Sequence, residues 1–145
     1  MFRLRLGRER VKERGSSLIE TSLVIVVFLM FLFGIVDIGQ FLFVQATLGE
    51  RVRAGLRYGV ITYDVNAIQN VVLYGTPNPV NGAPPSFRLT RNMVSVSRQN
   101  QNAPEDRVII TLANYPMEFV TPFFPRNVTG RPIVGVLPME VGNLP

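Results

Sequence analysis

The pattern of apolar and polar positions divides the chain at about residue 60: a long apolar run lies before this point, and short mixed segments follow it. Residues 21–36 contain no charged side chain, and apolar residues continue beyond Asp37 as far as Val44. In a helix that rises about 1.5 Å per residue, the segment from Glu20 to Asp37 spans roughly 26 Å. This length is close to the hydrocarbon core of a bilayer, which is about 30 Å thick. The pattern therefore predicts one membrane-spanning helix, with its membrane part at about residues 18–38.

The same helix is predicted to continue beyond the membrane. Apolar residues recur at spacings of three and four, which is typical of one helix face; they are Phe41, Val44, Leu48, Val52 and Leu56. Charged residues occupy the other faces, where Glu50 is placed to pair with Arg53. We therefore predict one helix from about residue 16 to residue 58, half in lipid and half packed against a small domain.

The sequence pattern of residues 60–145 predicts that small domain. A second helix is expected at residues 66–75, with Asn66 as its N-cap and Gly75 at its C-terminal end. Alternating apolar and polar residues predict strands within residues 91–99, 107–115 and 131–141, with residues 99–106 as a hairpin loop. The proline-rich residues 116–127 are expected to cover the sheet; an exposed apolar loop that contacts a membrane or partner is the alternative. The predicted fold class is α+β.

Positive charge is concentrated at the N-terminus. The first fifteen residues carry +4 of the net charge of +5, so the predicted outer domain is nearly neutral and no nucleic-acid partner is expected. The basic side chains nearest the apolar run are Arg8, Arg10, Lys12 and Arg14. A basic flank favours the cytoplasmic side of a membrane. We therefore expect the N-terminus in the cytoplasm, the helix in the inner (cytoplasmic) membrane and residues 60–145 outside the cytoplasm.

The composition argues against catalysis. The chain has no histidine and no cysteine, and its one lysine is Lys12. The commonest acid–base group and the thiolate metal ligands are therefore absent. Glu105 and Asp106 are adjacent, but they lie on the predicted hairpin loop, where a solvated turn explains them. We predict no enzyme activity, no metal site and no cofactor.

The acidic Glu20 at the start of the apolar run has two interpretations. A carboxylate near a helix N-terminus is favoured by the helix dipole and reaches headgroup water without any further role. Alternatively, cleavage after Gly15 would free an amine on Ser16 and make Glu20 the fifth residue of the mature chain. A carboxylate in a membrane needs a partner, and the terminal amine of a neighbouring subunit would provide one.

These residues resemble a known family. The features are Gly15, Ser16, Glu20, the segment FGIVDIGQ at residues 33–40 and the segment VRAGLRYG at residues 52–59. Together they are similar to the N-terminal signature of TadE-like pseudopilins, minor components of tight-adherence (Tad or Flp) pilus systems within the type IV pilin class. The resemblance implies cleavage after Gly15 by a prepilin peptidase. It also implies that the partners are other pilin and pseudopilin subunits and a pilus assembly platform.

The resulting prediction is a minor pilin-like structural subunit used to assemble a pilus for adhesion or secretion. Its parts would be a basic leader at residues 1–15, the N-terminal helix at residues 16–59 and an extracytoplasmic domain at residues 60–145. Two alternatives remain open. The chain could be an uncut bitopic accessory protein whose outer domain binds a ligand, or a protein secreted after ordinary signal-peptide cleavage following Ala46.

Overall fold

The structure is a computed structural model that describes residues 9–101, 103–119, 121 and 128–139. Helix α1 spans Glu9–Ile61, 53 residues, or about 80 Å at 1.5 Å per residue. It begins inside the predicted leader, because residues 9–15 contain no proline and the single Gly15 does not interrupt the helix. Gly15 and the backbones of Arg10, Lys12 and Arg14 belong to α1, whereas Arg8 lies outside the described residues.

The two halves of α1 have different surroundings. Large apolar side chains from Leu18 to Phe43 are exposed in this single chain. Farther along, Leu48, Val52 and Leu56 are almost completely buried in the core. Their spacing of four residues places them on one helix face. Among the described residues, α1 is the one helix long and apolar enough to cross a membrane.

Helix α2, Val65–Tyr74, packs against the buried half of α1. Its N-cap is Asp64, whose Oδ1 accepts a hydrogen bond from the backbone amide of Asn66 at 2.9 Å. The predicted N-cap, Asn66, is therefore wrong by two residues, because the preceding aspartate already satisfies the amides of the first turn. Gly75 ends the helix in the left-handed conformation, with φ of 80°, as the sequence predicted.

The close contact between the helices requires small residues on α1. A Cβ atom added to Gly55 would lie 2.8 Å from Cγ2 of Val72. A Cβ atom added to Gly59 would lie 2.9 Å from Cδ1 of Ile68. The two glycines are one turn apart, so together they form a groove on α1 that receives the apolar face of α2.

A three-stranded antiparallel sheet completes the core. Its strands are β1 (Val94–Gln99), β2 (Arg107–Leu112) and β5 (Ile133–Pro138), with β2 in the centre. Val108, Ile110 and Leu112 alternate along β2 and are buried against the helices. The order of helices and strands confirms the predicted α+β fold, in which an antiparallel sheet and α2 pack against the distal half of α1.

Two short strands bring the proline-rich segment back to the core. Strand β3, Pro116–Met117, pairs with β4, Val128–Thr129. Met117 is buried, and Phe119 packs partly against the core. The described part of this segment therefore packs against the core, partly through the short strand β3, and it does not form an exposed apolar loop at Met117. Residue 120 and residues 122–127 lie outside the described residues.

Asp106 is buried, so the expectation that it lies on a solvated turn is wrong. It is only 3% exposed, and Arg98 on β1 donates to both of its carboxylate oxygens, with Nε at 2.9 Å from Oδ1. The hydrogen bond to Asp106 raises the pKa of Arg98 above its ordinary value. The guanidinium also lies 5.4 Å from the centre of the Tyr63 ring. Asp106 is therefore a structural anchor of the β1–β2 hairpin and not a surface carboxylate.

Candidate functional site

The first turns of α1 beyond the predicted cleavage point are polar and exposed. Ser16, Ser17 and Glu20 are all exposed. The hydroxyls of Thr21 and Ser22 donate to backbone carbonyls one turn earlier, at 2.8 Å each. The hydroxyls of these small polar residues thus make their hydrogen bonds within the helix. The carboxylate of Glu20 remains as the charged group at the start of the apolar surface.

Ser16 and Glu20 lie on the same side of α1. Residues four positions apart on a helix are neighbours, with Cβ atoms about 5–6 Å apart. The helix continues through the Gly15–Ser16 junction, so a cut there would leave a new amine within one turn of Glu20. Ser16 and Glu20, for which the sequence suggested an amine–carboxylate contact between subunits, are thus also neighbours within one chain. The side chains of Arg10, Lys12 and Arg14 lie outside the part of the chain described in atomic detail.

Asp37 forms the second polar site on α1. Its carboxylate is 1% exposed, and its Oδ2 accepts a hydrogen bond from the backbone amide of Thr121 at 3.2 Å. The Thr121 hydroxyl donates to the same oxygen. The segment that contains Thr121 therefore contacts α1 at the end of the uncharged run, well before the core begins at Leu48. Sequence reasoning placed Asp37 near the bilayer surface but missed this contact.

A signal for the burial of Asp37 was present in the sequence. Asp37 precedes Phe41 by four positions, and Phe41 is followed by Val44 and Leu48 at spacings of three and four. Asp37 therefore lies on the same helix face that is buried farther along. An acidic residue that continues a buried face needs a hydrogen-bond donor from another segment. The partner itself was not predictable, because Thr121 is 84 positions away.

The described residues offer little for catalysis. They contain no group of three acidic side chains able to hold a metal ion. The two buried carboxylates, Asp37 and Asp106, hold Thr121 and Arg98 respectively. Both carboxylates therefore have structural partners, and they lie at separate places in the fold.

Comparison with known proteins agrees with the resemblance found in the sequence. The family model described as "TadE-like protein" matches residues 15–57. The matched segment begins at Gly15, includes Glu20 and Asp37, and ends near the C-terminus of α1. No curated protein and no solved structure matches the chain. The matched residues are less than a third of the chain, and they show that most of α1 is similar to the corresponding segment of TadE-like proteins.

Proposed function

Given the TadE-like segment at residues 15–57, we propose that this chain is a minor pilin-like subunit (pseudopilin) of a Tad/Flp-type pilus. A prepilin peptidase would cut it between Gly15 and Ser16, and the mature chain would take part in assembling a pilus for adhesion or secretion. Its partners would be other pilin and pseudopilin subunits and the assembly platform. Its role would be structural and not catalytic.

The division of α1 is the observation that supports this proposal most strongly. The apolar surface from Leu18 to Phe43 is exposed, while Leu48, Val52 and Leu56 fix the distal half of the same helix to the outer domain. Such a helix presents one apolar surface both to lipid and to neighbouring helices. Transfer of the subunit from membrane to pilus then replaces lipid contacts by protein contacts without refolding the outer domain.

Glu20 would supply the specific contact within that apolar surface. Its position at the start of the exposed run means that assembly would place it against the equivalent region of a neighbouring subunit. A buried carboxylate is costly unless it is paired. Cleavage of the neighbouring subunit would create an ammonium on its Ser16, and this positive charge would pair with the carboxylate of Glu20. This pairing makes cleavage a precondition of assembly.

The proposed orientation follows from charge. The leader residues Arg8, Arg10, Lys12 and Arg14 would stay in the cytoplasm, because basic flanks are retained there. The segment 60–145 would then lie outside the cytoplasm, beyond the inner membrane. The prepilin peptidase would reach Gly15 near the cytoplasmic surface.

Two observations weigh against ordinary secretion with a cut after Ala46. Helix α1 continues without a break through residues 44–46, and Val44 packs partly against the core. A cut there would also remove Asp37, which holds Thr121. The third possibility is an uncut bitopic protein, which would have the same fold but would keep residues 1–15.

The test is replacement of Gly15 with a residue that has a large side chain. Gly15→Val should block cleavage, because the peptidase would accept the chain at its active site only without a side chain there. Gly39→Val is the matched control, since Gly39 also lies in α1 and has no described heavy atom within 4 Å of an added Cβ. Immunoblotting should show precursor for the first variant and mature protein for the second. Mature-sized protein from Gly15→Val would contradict the proposal.

A further inference from the structure

A cavity lies beside α1 just beyond its predicted membrane part. Its volume is about 320 Å³, and it lies between α1 and two segments, residues 85–88 and residues 116–119, the second of which includes β3. Seven of its ten lining residues are apolar, among them Phe41, Val44 and Met117. This volume is at the lower end of the range for small-ligand sites. The cavity is therefore large enough for part of an apolar chain.

The position of the cavity along α1 sets its depth relative to a bilayer. Gln40 and Val44 line it, three and seven residues beyond Asp37, where the uncharged run ends. At 1.5 Å per residue these positions are about 5–10 Å farther along the helix. The polar headgroup layer adds about 5–7 Å to each side of the hydrocarbon core. The cavity is thus at the level where lipid headgroups meet the protein.

A fixed loop forms one wall of the cavity. Phe87 and Arg88 are consecutive non-glycine residues with φ of 55° and 53°. Such values are uncommon for side chains of this size and require support from the surrounding structure. Phe87 obtains that support by packing partly against the core. Arg88 therefore reaches the cavity from a segment with an uncommon backbone conformation that Phe87 anchors to the core.

The cavity carries one charge of each sign. Arg88 forms an ion pair with Glu118, and both residues line the cavity. Their side chains are 79% and 60% exposed. An ion pair this exposed is held weakly, so each group is available to a ligand with the complementary charge. A zwitterionic headgroup offers a phosphate for the guanidinium and an ammonium for the carboxylate.

We propose that this cavity binds one phosphatidylethanolamine molecule of the surrounding bilayer. Part of an acyl chain would contact Phe41 and Val44, the phosphate would accept hydrogen bonds from Arg88, and the ammonium would donate to Glu118. The proposal requires that α1 spans a membrane, and it is independent of cleavage and of any role in a pilus. The headgroup level of the cavity and its paired charges favour a lipid over the helix of a neighbouring protein.

Native mass spectrometry of the full-length chain tests the headgroup contacts. The chain is reconstituted in nanodiscs of equal parts phosphatidylethanolamine, phosphatidylglycerol and phosphatidylcholine and is then released. We expect one retained phosphatidylethanolamine. Arg88→Gln should lower retention of all three lipids about threefold, because the contact of a largely exposed guanidinium with a phosphate is weakened by water. Glu118→Gln should remove the preference for phosphatidylethanolamine over phosphatidylglycerol.

Arg53→Gln is the matched control for these variants. Arg53 forms a similarly exposed ion pair with Glu50 on α1, with side chains 67% and 62% exposed, and neither residue lines the cavity. It should leave lipid retention unchanged. Equal retention of the three lipids by the unaltered chain, or unchanged retention in Arg88→Gln, would overturn the proposal.

Photo-crosslinking in the membrane tests the occupant without altering the charges. A benzophenone amino acid replaces Phe41 in the cavity or, as a control for bulk lipid, Leu42, which is 59% exposed and does not line the cavity. Adducts at Phe41 should be enriched in phosphatidylethanolamine relative to adducts at Leu42. A protein adduct at Phe41, or the same lipid composition at both positions, would contradict the proposal.

Discussion

The carboxylate of Asp37, near the middle of α1, accepts hydrogen bonds from both the amide and the hydroxyl of Thr121, 84 positions farther along the chain. This contact lies at the end of the uncharged run, where α1 is expected to leave the membrane. Asp37 is therefore buried although it precedes Leu48, the first core residue of α1. It ties the segment that contains Thr121 to the membrane-proximal part of the helix.

Thr121→Val tests the contribution of the hydroxyl. The substitution leaves the buried carboxylate of Asp37 with one donor fewer, which should cost about 1–3 kcal/mol. Thr121→Ser keeps the donor and should cost less. Urea unfolding of the small α+β domain in detergent measures the difference in free energy of unfolding. Equal losses in the two variants would show that the hydroxyl does not stabilise the contact.

Gly55→Val tests the packing of α2 against α1. An added Cβ meets Val72 at 2.8 Å and Ile110 at 3.1 Å, so the larger side chain must displace both. Overpacking of this kind costs about 1–3 kcal/mol. Gly49→Val is the matched control, because its added Cβ meets no described heavy atom within 4 Å and the change in helix propensity is the same. Gly55→Val should therefore lower the midpoint of urea unfolding well below that of Gly49→Val, and similar midpoints would contradict the packing described here.

Tyr115 gives the small α+β domain a defined response to alkaline pH. Its hydroxyl is buried without a hydrogen-bond partner among the described residues, and burial raises the pKa of Tyr115 above 10. The folded state therefore binds the phenolic proton more tightly than the unfolded state. The stability that Tyr115 contributes is fully present below the unfolded pKa of about 10 and falls as pH rises through the folded pKa.

Tyr115→Phe should remove this pH dependence. Because the hydroxyl is unpaired, its removal should be neutral or stabilising at pH 7. Above about pH 10 the variant should become increasingly more stable than the unaltered chain. Urea unfolding at a series of pH values measures the difference. A constant difference across the series would contradict the burial of the phenol.

Glu20→Gln tests the role proposed for this carboxylate. If Glu20 pairs with the Ser16 ammonium of a neighbour, the substitution leaves a buried charge unpaired, at a cost of about 3–5 kcal/mol. Cleavage after Gly15 should persist, because the amide has the same shape. The mature protein should then no longer co-purify with its pilin partners.

Glu50→Gln is the control for this prediction, since Glu50 is an exposed α1 carboxylate paired with Arg53. It should leave co-purification unchanged. A pair between Ser16 and Glu20 within one chain would also leave partner recovery intact in Glu20→Gln. Normal recovery would therefore rule out the contact between subunits and leave Glu20 as a residue that suits the helix dipole.

The predictable parts of this fold are those set by local spacing. Leu48, Val52 and Leu56 are buried as expected, because helical periodicity fixes a shared face before any partner is known. The alternation of Val94 and Val96 with serines likewise predicts strand β1. The N-cap was predicted two residues late, because Asp64 and Asn66 are both good capping residues and only the backbone geometry distinguishes them.

Long-range contacts explain what was missed. Asp106 is buried because the hairpin register brings Arg98 to it, and a loop carboxylate alone carries no sign of that pairing. Asp37 is buried because a distant segment supplies Thr121. In contrast, Gly15, Ser16 and Glu20 were found from their order in the sequence. Their proposed roles concern a peptidase and a neighbouring subunit, and those roles stay predictions.

The central claim is that the chain is a precursor cut between Gly15 and Ser16, and the intact mass of the membrane-extracted protein tests it most directly. The account predicts a single mature species that lacks residues 1–15 and still contains Glu20 and the whole apolar run. A mass that includes residues 1–15 would indicate an uncut bitopic protein. Loss of roughly the first 46 residues would indicate ordinary secretion, and either result would contradict the proposed pilin-like processing.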